Sequence, residues 1–538
     1  MKRIFVKICA VIMAAAVLMS LTACESGSKD PMDAIPNSSA GRDITRAKAA
    51  DDVFSLNINR KYSLNPLIAT DHSNQLICSL VYENMLELGN DFNVIEGAGI
   101  INDYTVSEDG RLWTFYIDEG HVFHDGSPVT GGDLRYSLDR AISSDRFQGR
   151  FSSIQGTSHA DDKLIVALGI PDTQFYKLLN IPVIKSGSFN DNPPMGSGPY
   201  AINEECTELT AYEGYKSYRT LPVEKVYLKE YPEADTKIIA YEDSLIDVVI
   251  NDPSSYSSLG FASTNEVHKY ATTNMHFVAF NEERPLAQMK TFRVAMQYAF
   301  DRDYFVELLQ GNAVASAIPM YPTCDIYPDQ LNNELRYNPD RCKNILESVG
   351  IKDYDEDGML ELMEGSSEDI TLHFLVCSGS SAKGGVVNRF AQDMEKIGIK
   401  VIVHELPWND YITALQEGKL EKDDYDMFYG EVRLRNNFDL TELLQVRDED
   451  NELTNMNFTK SKDDSFLTYI NSYLAAPDMG RDEAYQALCE YISRSTGAFI
   501  TIGFEMNQII THRGVIKGIN ANAGNPLFGF ENWEIDLS

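Results

Sequence analysis

Cysteine is scarce and unpatterned in this chain: eight occur among 538 residues, at 9, 24, 78, 206, 324, 342, 377 and 489, with no CxxC pair. That spacing excludes the common structural zinc sites. A chain this long does not depend on disulfides for its core, so buried thiols are the default, with a Cys324 to Cys342 bridge open to an oxidising compartment. Positive charge is short as well: 46 Lys and Arg against 81 Asp and Glu give a formal net charge of −35. Such a field repels phosphodiester backbones and anionic headgroups, which excludes nucleic acid as a partner. Beyond residue 23 there is no apolar run of roughly 18 residues, and no repeat of about 20 to 50, so neither a helical channel nor a solenoid is encoded. A GxSxG elbow, a phosphate-cradling glycine loop and an HExxH helix are missing too.

What is present begins with "MKRIFVKICAVIMAAAVLMSLTA" (1–23), where Lys2, Arg3 and Lys7 precede an apolar run from Ile8 to Leu21. That is the layout of an export signal and is too short for a comfortable membrane span. The run ends in "LTAC", which is similar to a bacterial lipoprotein processing site. Cleavage before Cys24 would leave a lipidated N-terminus on the outer face of the membrane, where two or more acyl chains anchor stably. Removing the three cations, with no acid lost, turns −35 into −38. Residues 24–44 are rich in Ser, Gly, Pro and Asp and read as a flexible tether.

The whole chain is 43% hydrophobic and only 24% charged, enough to fill more than one core. "RLWTFYI" and "KLIVALGI" alternate as half-buried strands. "TFRVAMQYAFDRDYFVELLQG" reads as a helix with a single stripe of Phe292, Ala295, Met296, Ala299, Phe300 and Leu308, closed by Gly311, and "PDRCKNILESVG" as a second helix. Strands mixed with helices in this way indicate an α/β chain. Within "GHVFHDGSPVTGGDLRYSLDRA" (120–141), His121, His124 and Asp125 fall inside five positions. Asp125-Gly126 is a hairpin-turn dipeptide, Pro128 ends the pairing, and Thr130 with Asp133 forms a capping pair for the helix that follows. On that reading the three residues are scaffold. The alternative, a secreted metal-dependent hydrolase built on them, needs a further ligand at helical or strand spacing.

These segments, together with "SLNPL" (63–67), "LVYENMLELG" (80–89), "SEDGRLWTFYIDEGHVFHDGSPVT" (107–130), "GSGPY" (196–200), "FRVAMQYAFDRD" (292–303) and "YNPDRCKNILESVG" (337–350), run in an order that resembles the extracytoplasmic solute-binding proteins of oligopeptide, dipeptide and nickel ABC transporters, family 5. The resemblance implies a two-lobed periplasmic-binding-protein type II fold. Lobe I would span 45–283, with an extra subdomain at about 80–185, and lobe II 284–504. Residues 505–538 would return to lobe I, and the hinge would cross near Phe280-Asn281 and near Gly503. It implies a monomeric, non-enzymatic, lipid-anchored protein that needs no cofactor, encloses a peptide-like solute between its lobes and delivers it to ABC permease subunits. A sensor or adhesion lipoprotein of the same fold is the alternative within that class.

The resemblance also points to ligand-binding positions: Thr70 and Asp71 in "ATDHSNQ", and Trp408, Glu431, Arg433 and Arg435 in the stretch 406–440. Peptide binders of the family hold an aspartate for the ligand's amine where this chain has Leu434. Either Glu431 takes that role, or Arg433 and Arg435, alternating on one strand face, take a carboxylate or another anion. "DYDEDGMLELME" (353–364) matches the calcium-loop pattern, with Asp353, Asp355, Asp357, the Met359 carbonyl and Glu364 as ligands. Helices on both sides are not expected there, so the ion would be structural.

Overall fold

The computed structural model describes residues 52–147, 149–251, 264–366, 368–420, 424–445 and 457–537, so the expected signal, Cys24 and tether lie outside it. The alternation in "RLWTFYI" puts Trp113 and Phe115 on one face of the strand Leu112–Ile117, where both are fully buried. That strand pairs with Ile101–Val106 and Lys163–Leu168, and Ile154–Ala160 completes a four-stranded antiparallel sheet. Helix Gly131–Ile142 lies on it through Leu134, Leu138 and Ala141, at the spacing of one helical face. The capping pair closes the start of that helix, because the Asp133 carboxylate accepts from both the amide and the hydroxyl of Thr130 at 2.9 and 2.6 Å.

The larger sheet is mixed, with eleven strands among the described residues. At one end Thr371–Cys377 and Lys400–Leu406 run parallel, which requires a crossover, and helix Ser381–Lys396 supplies it. Near the other end Ser55–Ile58 runs parallel to Lys225–Glu230. The middle is an antiparallel pair of long strands, Asn265–Phe280 and Phe499–His512. Every residue of the second is buried, as expected of a strand covered on both faces. Their register slips between Ala271 and Met275 and again between His276 and Phe277, beside Gly503, and the first slip divides the pair into two halves with different neighbours. Residues 508–511 pair with Val248–Asn251, on the side of the sheet that holds Ser55–Ile58, whereas 274–280 pair with Met427–Arg433. Asn281 is buried beyond that slip, its amide held by the carbonyls of Gly418 and Tyr425, so the Phe280-Asn281 position lies well inside the second half.

One core combines residues 54–248 with Tyr270 and with Ile509, Val515, Leu527, Phe530 and Trp533, so both ends of the described chain build the same body. The long helix read in "TFRVAMQYAFDRDYFVELLQG" is two: Lys290–Met296 and Arg302–Leu308. Asp301 breaks it by capping the second piece through the amide of Tyr304, and Arg302 turns inward to the carbonyls of Thr501, Leu335 and Gln297. Tertiary hydrogen bonds thus override a continuous apolar stripe. The second piece ends before Gly311: Leu309 is its C-cap, Gln310 takes the left-handed turn at a φ of 53°, and the Gly311 amide donates to the Val306 carbonyl. Helix Pro339–Ser348 follows, capped by Asn338.

Candidate functional site

The cluster of His121, His124 and Asp125 is scaffold in its geometry. The His124 ring meets the Gly198 carbonyl at 3.0 Å and packs edge-on to Tyr212, while its backbone amide donates to the Gly196 carbonyl. Glycine is required on that partner segment: a Cβ at Gly196 would lie 2.2 Å from the Val81 carbonyl oxygen, and one at Gly198 2.6 Å from the Val81 carbonyl carbon. "GSGPY" therefore locks "LVYEN" to the hairpin. His121 is bound to Glu83 at 2.9 Å, and Asp125 pairs with Lys185.

The cleft forms elsewhere, at the register slip of the central strands. Tyr270, Thr272, Thr273 and Asn507 are its floor, and its volume is about 260 Å³. One wall is helix His72–Val81. Asp71 caps that helix, accepting from the amides of Ser73 and Asn74 at 2.9 and 3.1 Å, so that Gln75, Cys78 and Ser79 face inward from one side of the helix. Arg146, Phe147 and Arg150 continue this wall, and Gly524, Asn525 and Pro526 close it from the other end of the chain. The facing wall is the end of strand Met427–Arg433 and the segment after it: Arg433, Leu434, Arg435 and Asn436.

Hydrogen bonds cross between the walls. Arg435 donates to the Gly149 carbonyl at 2.6 Å and to Ser152 at 3.2 Å, and Asn437 donates to Asp172 at 2.9 Å. Arg435 is also paired with Asp439 at 2.6 Å and Glu442 at 2.7 Å. Burial opposes its charge, but those two carboxylates hold it above the usual arginine range.

Of the residues singled out in sequence, the structure brings Arg433 and Arg435 to the cleft. Thr70 is exposed and Asp71 is occupied as a cap. Trp408 begins helix Trp408–Glu417 with 64% of its surface exposed, and Glu431 pairs with Lys383. None of these four lines the cleft. Leu434 is buried, its amide on the Thr273 carbonyl. Arg146 and Arg150 escaped the sequence reading. The signal available was two arginines four apart around Phe147 in "SSDRFQGR".

The acidic loop gathers Asp353, Asp355, Asp357 and Glu361, whose ligand atoms lie within 4.8 Å of one another. Glu361, and not the exposed Glu364, joins the group, because bridges to Lys352 and Asp369 pull residue 361 inward until it is 1% exposed. A second group, His276, Glu431 and Glu505, meets within the same 4.8 Å span. There His276 joins Tyr429 at 3.0 Å and Glu505 at 2.7 Å.

The family model described as bacterial extracellular solute-binding proteins, family 5 Middle, matches residues 95–444, more than half of the chain. The chain belongs to that family. Among relatives of this family 5 protein, the oligopeptide-binding protein AppA of Bacillus subtilis is 22% identical over 452 residues, 79% of this chain and 81% of AppA. Heme-binding protein A of Haemophilus influenzae is 21% identical over 458 residues, 77% and 80% of the two chains. The structure of AppA in complex with a nonapeptide aligns with a TM-score of 0.60 at 19% identity, covering 91% of this chain and 100% of that one. NikZ of Campylobacter jejuni in complex with Ni(L-His) aligns at 0.63 and 17%, with coverage of 91% and 100%. These likenesses establish the two-lobed type II fold. Among the described residues no helix is long and apolar enough to cross a membrane.

Proposed function

We propose that this protein captures a small peptide-like solute in the cleft and hands it to the membrane subunits of an ABC importer, while a lipid on Cys24 keeps it at the extracytoplasmic face of the membrane. The reading is carried by one observation: a cleft of about 260 Å³ is walled by segments from both halves of the sheet, and its floor is the place where the two central strands lose register. Chain crossings at 271–275 and 504–507 are the hinge on this reading, since a slipped ladder has fewer paired groups to hold it rigid. The bonds from Arg435 and Asn437 across the walls are then the contacts of a closed state. The volume suits a small ligand more than a long peptide. AppA and its nonapeptide support a peptide-like solute, and heme and Ni(L-His) in other members leave the chemistry to be read from this cleft.

The acidic loop is, on this account, a structural calcium site made by Asp353, Asp355, Asp357 and Glu361 with the Met359 carbonyl. The fit is supported by two buried carboxylate oxygens, Glu361 Oε1 and Asp353 Oδ1, that have no hydrogen-bond partner. Native mass spectrometry of the protein purified without denaturation tests solute capture: a one-to-one small-molecule adduct, released by acid, is expected. Cys24→Ser should shift the protein from the membrane fraction to the soluble one, and persistence in the membrane would refute the anchor.

A further inference from the structure

Among the described residues, the cleft lining gathers Arg146, Arg150, Arg433 and Arg435 against a single carboxylate, Glu442. That is the opposite sign to the chain as a whole, at −35. Arg435 is neutralised by Asp439 and Glu442. The other three are not: among the described residues no Asp or Glu oxygen lies within 4.0 Å of their guanidinium nitrogens. Arg146 donates to the Pro66 carbonyl and lies over the Phe147 ring. Arg150 donates to Asn180 Oδ1 at 3.0 Å and lies over Phe147 and Phe151, and its Nε is buried without a partner. Arg433 donates to Asn274 Oδ1 at 3.3 Å, and the Glu431 carboxylate that acts on it is already paired with Lys383.

These groups also disfavour one another. Burial first, and then Arg433, Arg146 and Arg435, push Arg150 down to about 9, which leaves it cationic at neutral pH but at a cost. Burial, with Arg433 adding to it, pushes Arg146 down as well. The half-buried Arg146 and Arg150 and the exposed Arg433, held together with no described carboxylate in ion-pair contact, therefore disfavour one another. An anion that enters relieves both the repulsion and the unmet hydrogen bonding.

We propose that the solute is a small polyanion, carrying two or more carboxylate or phosphate groups, held by Arg146, Arg150 and Arg433. Guanidinium forks match the oxygen pairs of such groups, and a lone α-carboxylate would leave most of this charge uncompensated. The inference rests on the cleft being the solute site. It also accounts for the apolar Leu434 where the resemblance called for an amine-binding acid, because a site for an anion gains nothing from a carboxylate there.

Calorimetry on the full-length protein in detergent tests it, with triglutamate, citrate and fructose 1,6-bisphosphate as acidic probes and trialanine and trilysine as contrasts. At least one acidic probe should bind ten-fold or more tighter than trialanine, and which one binds tells an acidic peptide from a polycarboxylate or a phosphate ester. Arg146→Gln, Arg150→Gln and Arg433→Gln should each weaken that probe by about ten- to a hundred-fold, the range for charge-assisted hydrogen bonds. Without the probe these variants should melt no lower than wild type, since each removes a repelling charge. Equal binding of trialanine or trilysine, or unchanged binding by the variants, would overturn the polyanion. A neutral or cationic adduct found by native mass spectrometry would do so too, while leaving solute capture intact. No binding of any probe, together with no copurified adduct, would sink both.

Discussion

His124 is tied to its surroundings through ring and backbone alike, and burial pushes its imidazole below the usual histidine range, so it is neutral near pH 7. His124→Ala should therefore lower stability by about 1 to 3 kcal/mol, by loss of packing and of a buried hydrogen bond, with bound metal and solute affinity unchanged. A thermal melt read beside metal analysis checks this, and loss of a stoichiometric metal would contradict it. Asp172 behaves in the opposite sense. Burial, reinforced by Asp439, raises its carboxyl from 3.8 to about 7 in the native state. The native protein thus binds more protons than the unfolded one between those values, and stability falls as pH rises through them, then levels. Asp172→Asn keeps an acceptor for Asn437 and removes the titration. Its melting advantage over wild type should grow by about 1 to 3 kcal/mol from pH 5 to pH 8. A gap that does not change with pH would show that Asp172 is already ionised when folded.

Local elements were readable where short-range chemistry decides them. Alternation found Leu112–Ile117, Asp125-Gly126 found its turn, and Thr130 with Asp133 found the start of helix Gly131–Ile142. The break at Asp301 was not readable, because the carbonyls that draw Arg302 inward come from residues 297, 335 and 501, distant in sequence or visible only once the strands pack. The acidic loop shows the same division. Its spacing marked Asp353, Asp355 and Asp357, but bridges to Lys352 and Asp369 decide that Glu361 is the inward carboxylate. Glu361→Gln should abolish any rise in melting temperature that calcium gives wild type, whereas Glu364→Gln should leave it in place. Wild type melting identically in calcium and in chelator would remove the ion from the account.

On the scale of the two lobes, the family order of motifs foretold the fold, and the composition foretold a strongly acidic body. It did not foretell that arginines would converge. Arg146 and Arg433 are far apart in the chain, and only the long central strands, slipping register between Ala271 and Met275, set their walls face to face. Thr70, Asp71, Trp408 and Glu431 were inferred from resemblance, and here they serve a cap, an ion pair or an exposed surface, outside the cleft lining. Enclosure of a solute at that slip is the central claim, and hydrogen exchange with and without the acidic probe that calorimetry selects tests it most directly. Amides at 146–150, 270–275, 433–436 and 504–507 should gain protection together, while those of the sheet spanning 101–168 outside the cleft stay unchanged. Measured heat of binding with no added protection at these four segments, or with protection confined to other surfaces, would contradict it.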